Sequence, residues 1–128
     1  MAIAMRYGTG GEIAKGGSSG GFTMDVLWTN SAPTSSFAAQ TIPVSLAGYK
    51  FCIITFHNFA STDAQYGLLA QVCMIGKVNY LQFTSATNNR NGRRLADVQT
   101  TGVEFKACVY NDGTNNGYGI PYQIIGIK

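Results

Sequence analysis

The sequence predicts an all-β protein, an antiparallel β-sandwich of jelly-roll-like form with a flexible Gly-rich arm at its N-terminus. Beyond Phe22, apolar runs of strand length alternate with clusters of turn residues, and no window shows an amphipathic helical stripe. A chain of 128 residues, 45% of them hydrophobic, is long enough for one domain with one core. Tyr7 to Gly21 is rich in glycine and serine and cannot bury enough apolar surface to fold alone. We therefore expect an attachment arm over residues 1–22 and a single sandwich domain over residues 23–128.

The first half of the domain contains three predicted strands. Met24 to Thr29 is the first, and about Phe37 to Leu46 is the second. Pro43 belongs at an edge or a bulge because it lacks an amide donor for the ladder. Phe51 to Phe59 is apolar on both faces, as is typical of a central strand covered from two sides. Trp28 lies near Pro33 and Phe37 in the sequence and is expected to close one end of the sandwich.

The second half contains five predicted strands separated by turn signals. The first two are joined by Gly76-Lys77, which suits a tight hairpin, and Asn88 to Gly92 is predicted as a turn because it ends in an Asn-Gly pair. In the fourth strand, Val103, Phe105, Ala107 and Val109 alternate with polar or larger residues and are expected to face the core. The five strands are Leu68 to Ile75, Val78 to Thr84, Arg94 to Gln99, Val103 to Tyr110 and Tyr118 to Ile127.

Composition excludes several classes of function. Charged residues make up only 12% of the chain and the formal charge is +3, too little for a clustered basic face that would bind nucleic acid. No stretch reaches the ~20 apolar residues of a membrane span, and the N-terminus lacks a signal-peptide core. Three cysteines without a Cys-x-x-Cys spacing predict buried free thiols and synthesis in a reducing cytoplasm. With so few charges to protect strand edges and flat faces, we expect self-association.

Catalytic and metal-binding patterns are missing from the sequence. His57, the single histidine, lies in an apolar run, and the six carboxylates are scattered singly. Asn111 to Gly117 lacks the alternating carboxylates and the terminal glutamate of a calcium loop. The glycines of the arm do not have the spacing of a phosphate-binding loop. The expectation is a protein that is not an enzyme and that needs no cofactor or metal.

One polar cluster suggests ligand binding. Amides and guanidinium groups are concentrated between Asn88 and Arg94, and a second polar loop spans Asn111 to Gly117. Planar amides, guanidinium groups and aromatic rings are the groups that a glycan site uses, and Tyr80, Tyr110, Tyr118 and Tyr122 supply rings. The simpler interpretation is a solvated hairpin with structural tyrosines. The candidate binding residues are Asn89, Arg90, Arg93, Arg94, Asp112 and Asn115.

Several stretches, taken in order, resemble a family of small phage and prophage proteins from Gram-positive bacteria, many of them gut species, that are encoded with virion structural genes. The resemblance covers most of the chain beyond Met24 except Asn58 to Lys77. It is carried by Arg6-Tyr7-Gly8, Leu27-Trp28-Thr29-Asn30 with Pro33, Phe37-Ala38-Ala39-Gln40-Thr41, Leu46-Ala47-Gly48-Tyr49, Arg94 to Gln99 with Thr101 to Phe105, Ile120-Pro121-Tyr122 and Gly126-Ile127-Lys128.

The resemblance implies two alternative functions. The first is a structural or capsid-decorating protein of the virion exterior, made in the host cytoplasm, trimeric, and held to other virion proteins through its N-terminal arm. Arg6, Tyr7 and Lys15 are the arm residues expected to make that attachment. The second is a receptor-binding module at a tail or fibre tip, which would recognise a host-surface glycan through the polar loops. Neither alternative involves nucleic acid or insertion into a membrane.

Overall fold

The computed structural model describes residues 21–60, 68–84 and 90–128, and every regular element in these ranges is a β-strand. Nearly all of the predicted arm, including Arg6, Tyr7 and Lys15, lies outside the described residues. The strands are β1 (Met24–Thr29), β2 (Gln40–Pro43), β3 (Phe51–Phe59), β4 (Leu68–Cys73), β5 (Lys77–Thr84), β6 (Asn91–Gln99), β7 (Gly102–Phe105), β8 (Val109–Tyr110), β9 (Gly113–Thr114) and β10 (Tyr118–Ile127).

The strands form two antiparallel sheets that pack face to face, which confirms the predicted β-sandwich. The first sheet has the order β1-β10-β3-β4. In the second sheet β6 is central, and β5 pairs along one side of it. On the other side, β7 pairs with the C-terminal part of β6 and β8 pairs with its N-terminal part. β2 lies beyond β7, and β9 lies beyond β8. The first strand therefore lies beside the last, and β2 lies beside β7, in a jelly-roll-like nesting of the chain.

The core lies between the two sheets and is formed by inward-facing residues of both. From the first sheet Cys52, Ile54, Phe56 and Ile124 are buried, and from the second Leu81, Val98 and Phe105 are buried. Their alternation along each strand follows from the two-residue period of the pleat. Trp28, which was expected to close one end of the sandwich, packs against Phe37 with ring centroids 6.1 Å apart, and Phe105 completes this aromatic group.

Two predicted strands are shorter or interrupted in the structure. Of Phe37 to Leu46, only β2 pairs with another strand, and Pro43 ends it at the predicted sheet edge. Val103 to Tyr110 divides into β7 and β8, so the predicted core face is wrong beyond Phe105. Cys108 and Tyr110 are buried in place of Ala107 and Val109 because the unpaired segment between the two strands shifts the alternation.

The predicted hairpin at Gly76-Lys77 is a corner between the sheets. β4 pairs with β3 and β5 pairs with β6, so the chain changes sheets between Cys73 and Lys77. The Asn79 side chain holds this corner, since it accepts from the Met74 amide at 2.9 Å and donates to the Met74 carbonyl at 3.1 Å. Gly76 has a positive φ of 84°, which explains the glycine without a hairpin.

The Asn91-Gly92 pair does not form the predicted turn. Both residues lie at the start of β6, where Asn91 pairs with Thr84 and Gly92 pairs with Phe83. The glycine is needed for space, because a Cβ atom at position 92 would lie 2.2 Å from Cζ of the Phe83 ring. Arg90, also part of the predicted turn, is exposed and comes directly before the strand, while Asn88 and Asn89 lie outside the described residues.

The two ends of the sandwich differ in what they carry. At one end, which we call the terminal pole, the Thr23 amide donates to the Lys128 carbonyl at 2.8 Å and the Lys128 amide donates to the Thr23 carbonyl at 3.0 Å. At the other end, the loop pole, β10 begins at Tyr118 and β6 begins at Asn91. The ten residues of β10 separate the poles by about 33 Å.

Candidate functional site

The loop pole brings together the two polar loops that were predicted from the sequence. β6 pairs with β8 through Gly92 with Tyr110 and through Arg93 with Val109. The Asn111 amide then donates to the Asn91 carbonyl at 3.1 Å, which extends the contact into the loop. Residues 90–93 and 111–117 therefore form one continuous surface, although almost twenty residues separate them in the chain.

The tip of this surface is a tight hairpin between β8 and β9. Asn111 and Asp112 occupy its two central positions with φ of 50° and 71°. Positive φ at both positions is what a two-residue hairpin turn of type I′ requires, and Asn and Asp tolerate it better than most residues. Asp112 is thereby held at the tip, where its side chain is exposed.

The rest of the second loop is stabilised by amide side chains. The Asn115 Oδ1 accepts from the Gly117 amide at 3.0 Å, and the Asn116 Oδ1 accepts from the Cys108 amide at 3.0 Å. The Asn116 carbonyl accepts from the Phe37 amide at 2.9 Å, which ties the loop to the β1–β2 connection. Asn115 is exposed, but its oxygen already stabilises the turn, so this residue shapes the surface as well as lining it.

Two of the four candidate tyrosines lie under the loops. The Tyr110 and Tyr118 rings stack with centroids 3.7 Å apart, and the Phe83 ring lies nearly parallel to both, 6.3 Å and 6.4 Å away. Burial raises the pKa of Tyr118, and a hydrogen bond with Tyr110 raises it further, while the positive charge of Arg90 opposes the shift.

The other two tyrosines are elsewhere. Tyr80 is exposed on β5, and the Tyr122 ring contacts His57 with centroids 5.6 Å apart. The His57 ring is therefore packed against an aromatic neighbour. Tyr110 is buried and Tyr118 is half-buried, so the stacked pair contributes mainly to the stability of the pole.

Arg94 was predicted as a binding residue, but the structure places it in the interior. Its side chain is fully buried. Nε donates to the Gly119 carbonyl at 2.7 Å, Nη1 to the Lys106 carbonyl at 2.7 Å and Nη2 to the Tyr118 carbonyl at 3.0 Å. Burial lowers the pKa of Arg94 because it removes water from the charged form. Since all three nitrogens are bound to backbone carbonyls, Arg94 cannot reach a ligand at the surface.

Arg90, Arg93 and Asp112 are then the predicted residues with exposed charged side chains at the loop pole. Asn89, the remaining candidate, lies outside the described residues. Two guanidinium groups and one carboxylate can hydrogen-bond the hydroxyl or acidic groups of a ligand. Among the described residues, no group of three or more His, Cys, Asp or Glu side chains could hold a metal ion.

The three cysteines are buried and free, as predicted. Cys52 and Cys73 face each other across β3 and β4. A hydrogen bond with Cys52, together with burial, raises the pKa of the Cys73 thiol far above its usual range, and the same hydrogen bond lowers the pKa of Cys52. Burial likewise raises the pKa of Cys108, although the nearby charge of Arg94 partly opposes it. The raised pKa values keep the Cys73 and Cys108 thiols protonated, which makes these two poor nucleophiles.

The comparisons with known proteins found no matching family model, no matching curated protein and no matching solved structure. Within residues 21–60, 68–84 and 90–128, no helix is both long and apolar enough to cross a membrane.

Proposed function

We propose that this chain is a structural protein of the exterior of a phage particle, a decorating or attached surface module held through its N-terminal arm. The observation that carries the proposal is the division of the sandwich into two poles. Thr23 is bonded to Lys128 at the terminal pole, so the segment that precedes Thr23 starts there. The polar loops lie at the opposite pole, where an attached module would face the solvent.

The surface chemistry and the sequence resemblance also support this role. Neutral polar side chains and few charges are suited to a module that packs against other virion proteins, since burying unpaired charges is costly. The motifs from Leu27 to Thr41 and from Ile120 to Lys128 resemble those of the phage and prophage family described above. In this proposal the chain is not an enzyme, its partners are other virion proteins and further copies of itself, and its location is the virion exterior.

Deleting residues 2–21 tests the attachment directly. We expect the shortened chain to keep the folded sandwich, because the Thr23–Lys128 pairing and all described strands remain. It is expected to lose incorporation into particles, measured by quantitative mass spectrometry of purified virions from cells that make either form. Circular dichroism and a thermal melt control for folding. Particles that contain the shortened chain at the full copy number would contradict the proposal.

A second function, recognition of a host-surface glycan at a tail or fibre tip, is favoured by the exposed charges at the loop pole. Copy number separates the two: many copies over the head indicate decoration, and a few copies at the tail end indicate a receptor-binding tip. Labelled particles in electron micrographs give the position. In both cases the loops face outward, but binding to host cells is required only by the second.

Replacing Arg90 and Arg93 with alanine tests this second function. We expect the double variant to lose most adsorption of the isolated protein to host cells, because the two exposed guanidinium donors of the pole are removed. A matched control replaces Lys50 and Lys77, which are exposed near the terminal pole and give the same change in net charge. Equal adsorption by both double variants would exclude the loop pole as the receptor-binding surface.

A further inference from the structure

The outer edge of β4 differs from every other sheet edge in the described part of the chain. β4 pairs with β3 on one side only, with continuous register from Cys52–Cys73 to His57–Leu68. Its sequence, Leu-Leu-Ala-Gln-Val-Cys, contains no charge and no proline. An edge strand of this kind offers a row of unpaired backbone donors and acceptors to another strand.

The other edges have features that discourage pairing. β1 contains a bulge between Val26 and Trp28 and the charged Asp25. β2 is four residues long and ends in Pro43, and β9 is two residues long. β5 begins with the charged Lys77. Bulges, charges, prolines and short length are the usual means by which proteins protect an edge, and β4 has none of them.

Both faces of β4 are also accessible. Leu68 and Val72, on the outer face of the sheet, are 47% and 53% exposed. Leu69 lies on the same face as its partner Phe56, towards the second sheet, and is still 39% exposed. Ala70 and Gln71 are exposed as well. The strand thus presents its backbone edge together with apolar side chains above and below it.

We propose that β4 is a self-association surface, where two copies of this chain pair their β4 strands antiparallel about a two-fold axis. Residues that pair across an antiparallel ladder lie on the same face, so outward residues must pair with outward residues. The register that uses every exposed residue places Ala70 opposite Ala70 of the other copy. It also places Leu68 opposite Val72 and Leu69 opposite Gln71.

A second copy fits this edge better than an unrelated strand for two reasons. The exposed run is self-complementary, since on the outer face Leu68 meets Val72, the smallest side chain lies on the axis and no like charges oppose each other. The pairing also extends an existing apolar row. Val26, Ile125, Ile53 and Val72 are register neighbours across all four strands, and Leu68 of the other copy would continue the row.

The interface closes at two copies, because a two-fold axis consumes both free β4 edges. The resulting sheet would have eight strands, four from each chain. This inference predicts a dimer in place of the trimer implied by the sequence resemblance. It does not depend on the proposed role in a virion, because the purified chain alone should show it.

The first test measures the mass of the purified full-length chain by light scattering after size-exclusion chromatography. We expect twice 13.7 kDa for the wild type and 13.7 kDa for Val72→Lys, because the substitution places a charge beside the edge. Val78→Lys is the matched control, since Val78 is 52% exposed on β5 of the other sheet. The control should remain dimeric. Thermal melts check that both variants fold.

The second test checks the register by forming a disulfide between copies. Ala70→Cys would bring two Cα atoms to about 4.5–5.5 Å, within the roughly 4.4–6.8 Å that a disulfide spans. Leu68→Cys is the control, since its two copies would lie four residues apart along the strands, about 13 Å. The native cysteines are buried, so they contribute little background. We expect the crosslinked dimer with Ala70→Cys alone under mild oxidation.

Several outcomes would overturn the inference. A wild-type chain that is monomeric or trimeric excludes closed pairing through β4. A dimer that survives Val72→Lys shows that another segment holds the two copies together. If that dimer disappears when residues 2–21 are deleted, the association belongs to the deleted segment. Equal crosslinking at positions 68 and 70 excludes the proposed register.

Discussion

Replacing Arg94 with methionine is expected to lower the free energy of unfolding by about 3 kcal/mol, since buried carbonyls that lose their donor each cost roughly 1–3 kcal/mol. The three carbonyls belong to Lys106, Tyr118 and Gly119. Removal of a desolvated charge offsets part of this cost. The guanidinium joins the β7–β8 connection to the start of β10, so its loss should loosen the whole loop pole.

The neighbouring arginine provides the control. Arg93 is exposed, and Arg93→Met should change the free energy of unfolding by no more than about 0.5 kcal/mol. Urea unfolding followed by the fluorescence of Trp28, the single tryptophan, measures both variants. Arg94→Lys should retain little of the lost stability, because an ammonium group cannot match the planar fork of donors. Equal stabilities of Arg93→Met and Arg94→Met would show that the buried hydrogen bonds contribute nothing.

Gly92→Ala is expected to destabilise the protein by about 2–3 kcal/mol, the upper part of the range for overpacking a core. The added methyl carbon would lie 2.2 Å from Cζ of Phe83, and it would also lie within 2.8 Å of both Cε atoms. The ring cannot simply rotate away, because it contacts Phe56, Tyr110 and Tyr118. Either the ring stack or the β5–β6 pairing must shift.

A second substitution tests whether the Phe83 ring is the cause. Phe83→Leu shortens the side chain opposite Gly92, so the double variant should be more stable than the sum of the two single effects allows. Gly113→Ala is a control for the glycine itself, because nothing lies within 4 Å of the atom that it adds. Additive effects of the two substitutions in urea unfolding would exclude a clash with Phe83.

The sequence predicted the fold class and the strands with a continuous pattern. β1, β3 and β10 have the predicted bounds, because each is a largely apolar segment between clear turn signals. The prediction from sequence failed where tertiary contacts determine the local conformation. A Gly-Lys pair can serve a hairpin or a corner between sheets, and the choice at Gly76 depends on Asn79, which binds Met74. Asn91-Gly92 has the composition of a turn, but the Phe83 ring determines its place in β6.

Only part of the candidate site was predicted from the sequence, again because tertiary contacts determine which side chains are exposed. The two polar loops were recognised from composition, and the structure places them together. Arg94 could not be distinguished from Arg93 in the sequence, because its burial depends on three carbonyls from distant segments. The available signal was the two-residue period of β6, which places Arg94 on the same face as the apolar residues Ala96 and Val98. The exposed β4 edge was recognisable only as a strand without charges.

The pairing of β1 with β10 has a consequence for synthesis of the chain. The first sheet has β10 between β1 and β3, and the hydrogen bonds from Asn30 and Gln123 join residues 91 and 94 positions apart. While the ribosome is still making residues 118–127, β1 has no partner strand and one edge of β3 stays open. Contacts so distant in sequence form slowly. Folding of this sheet must therefore wait until residues 118–127 have been made and have left the ribosome, and until then chaperones and nearby nascent chains can bind the uncovered strands.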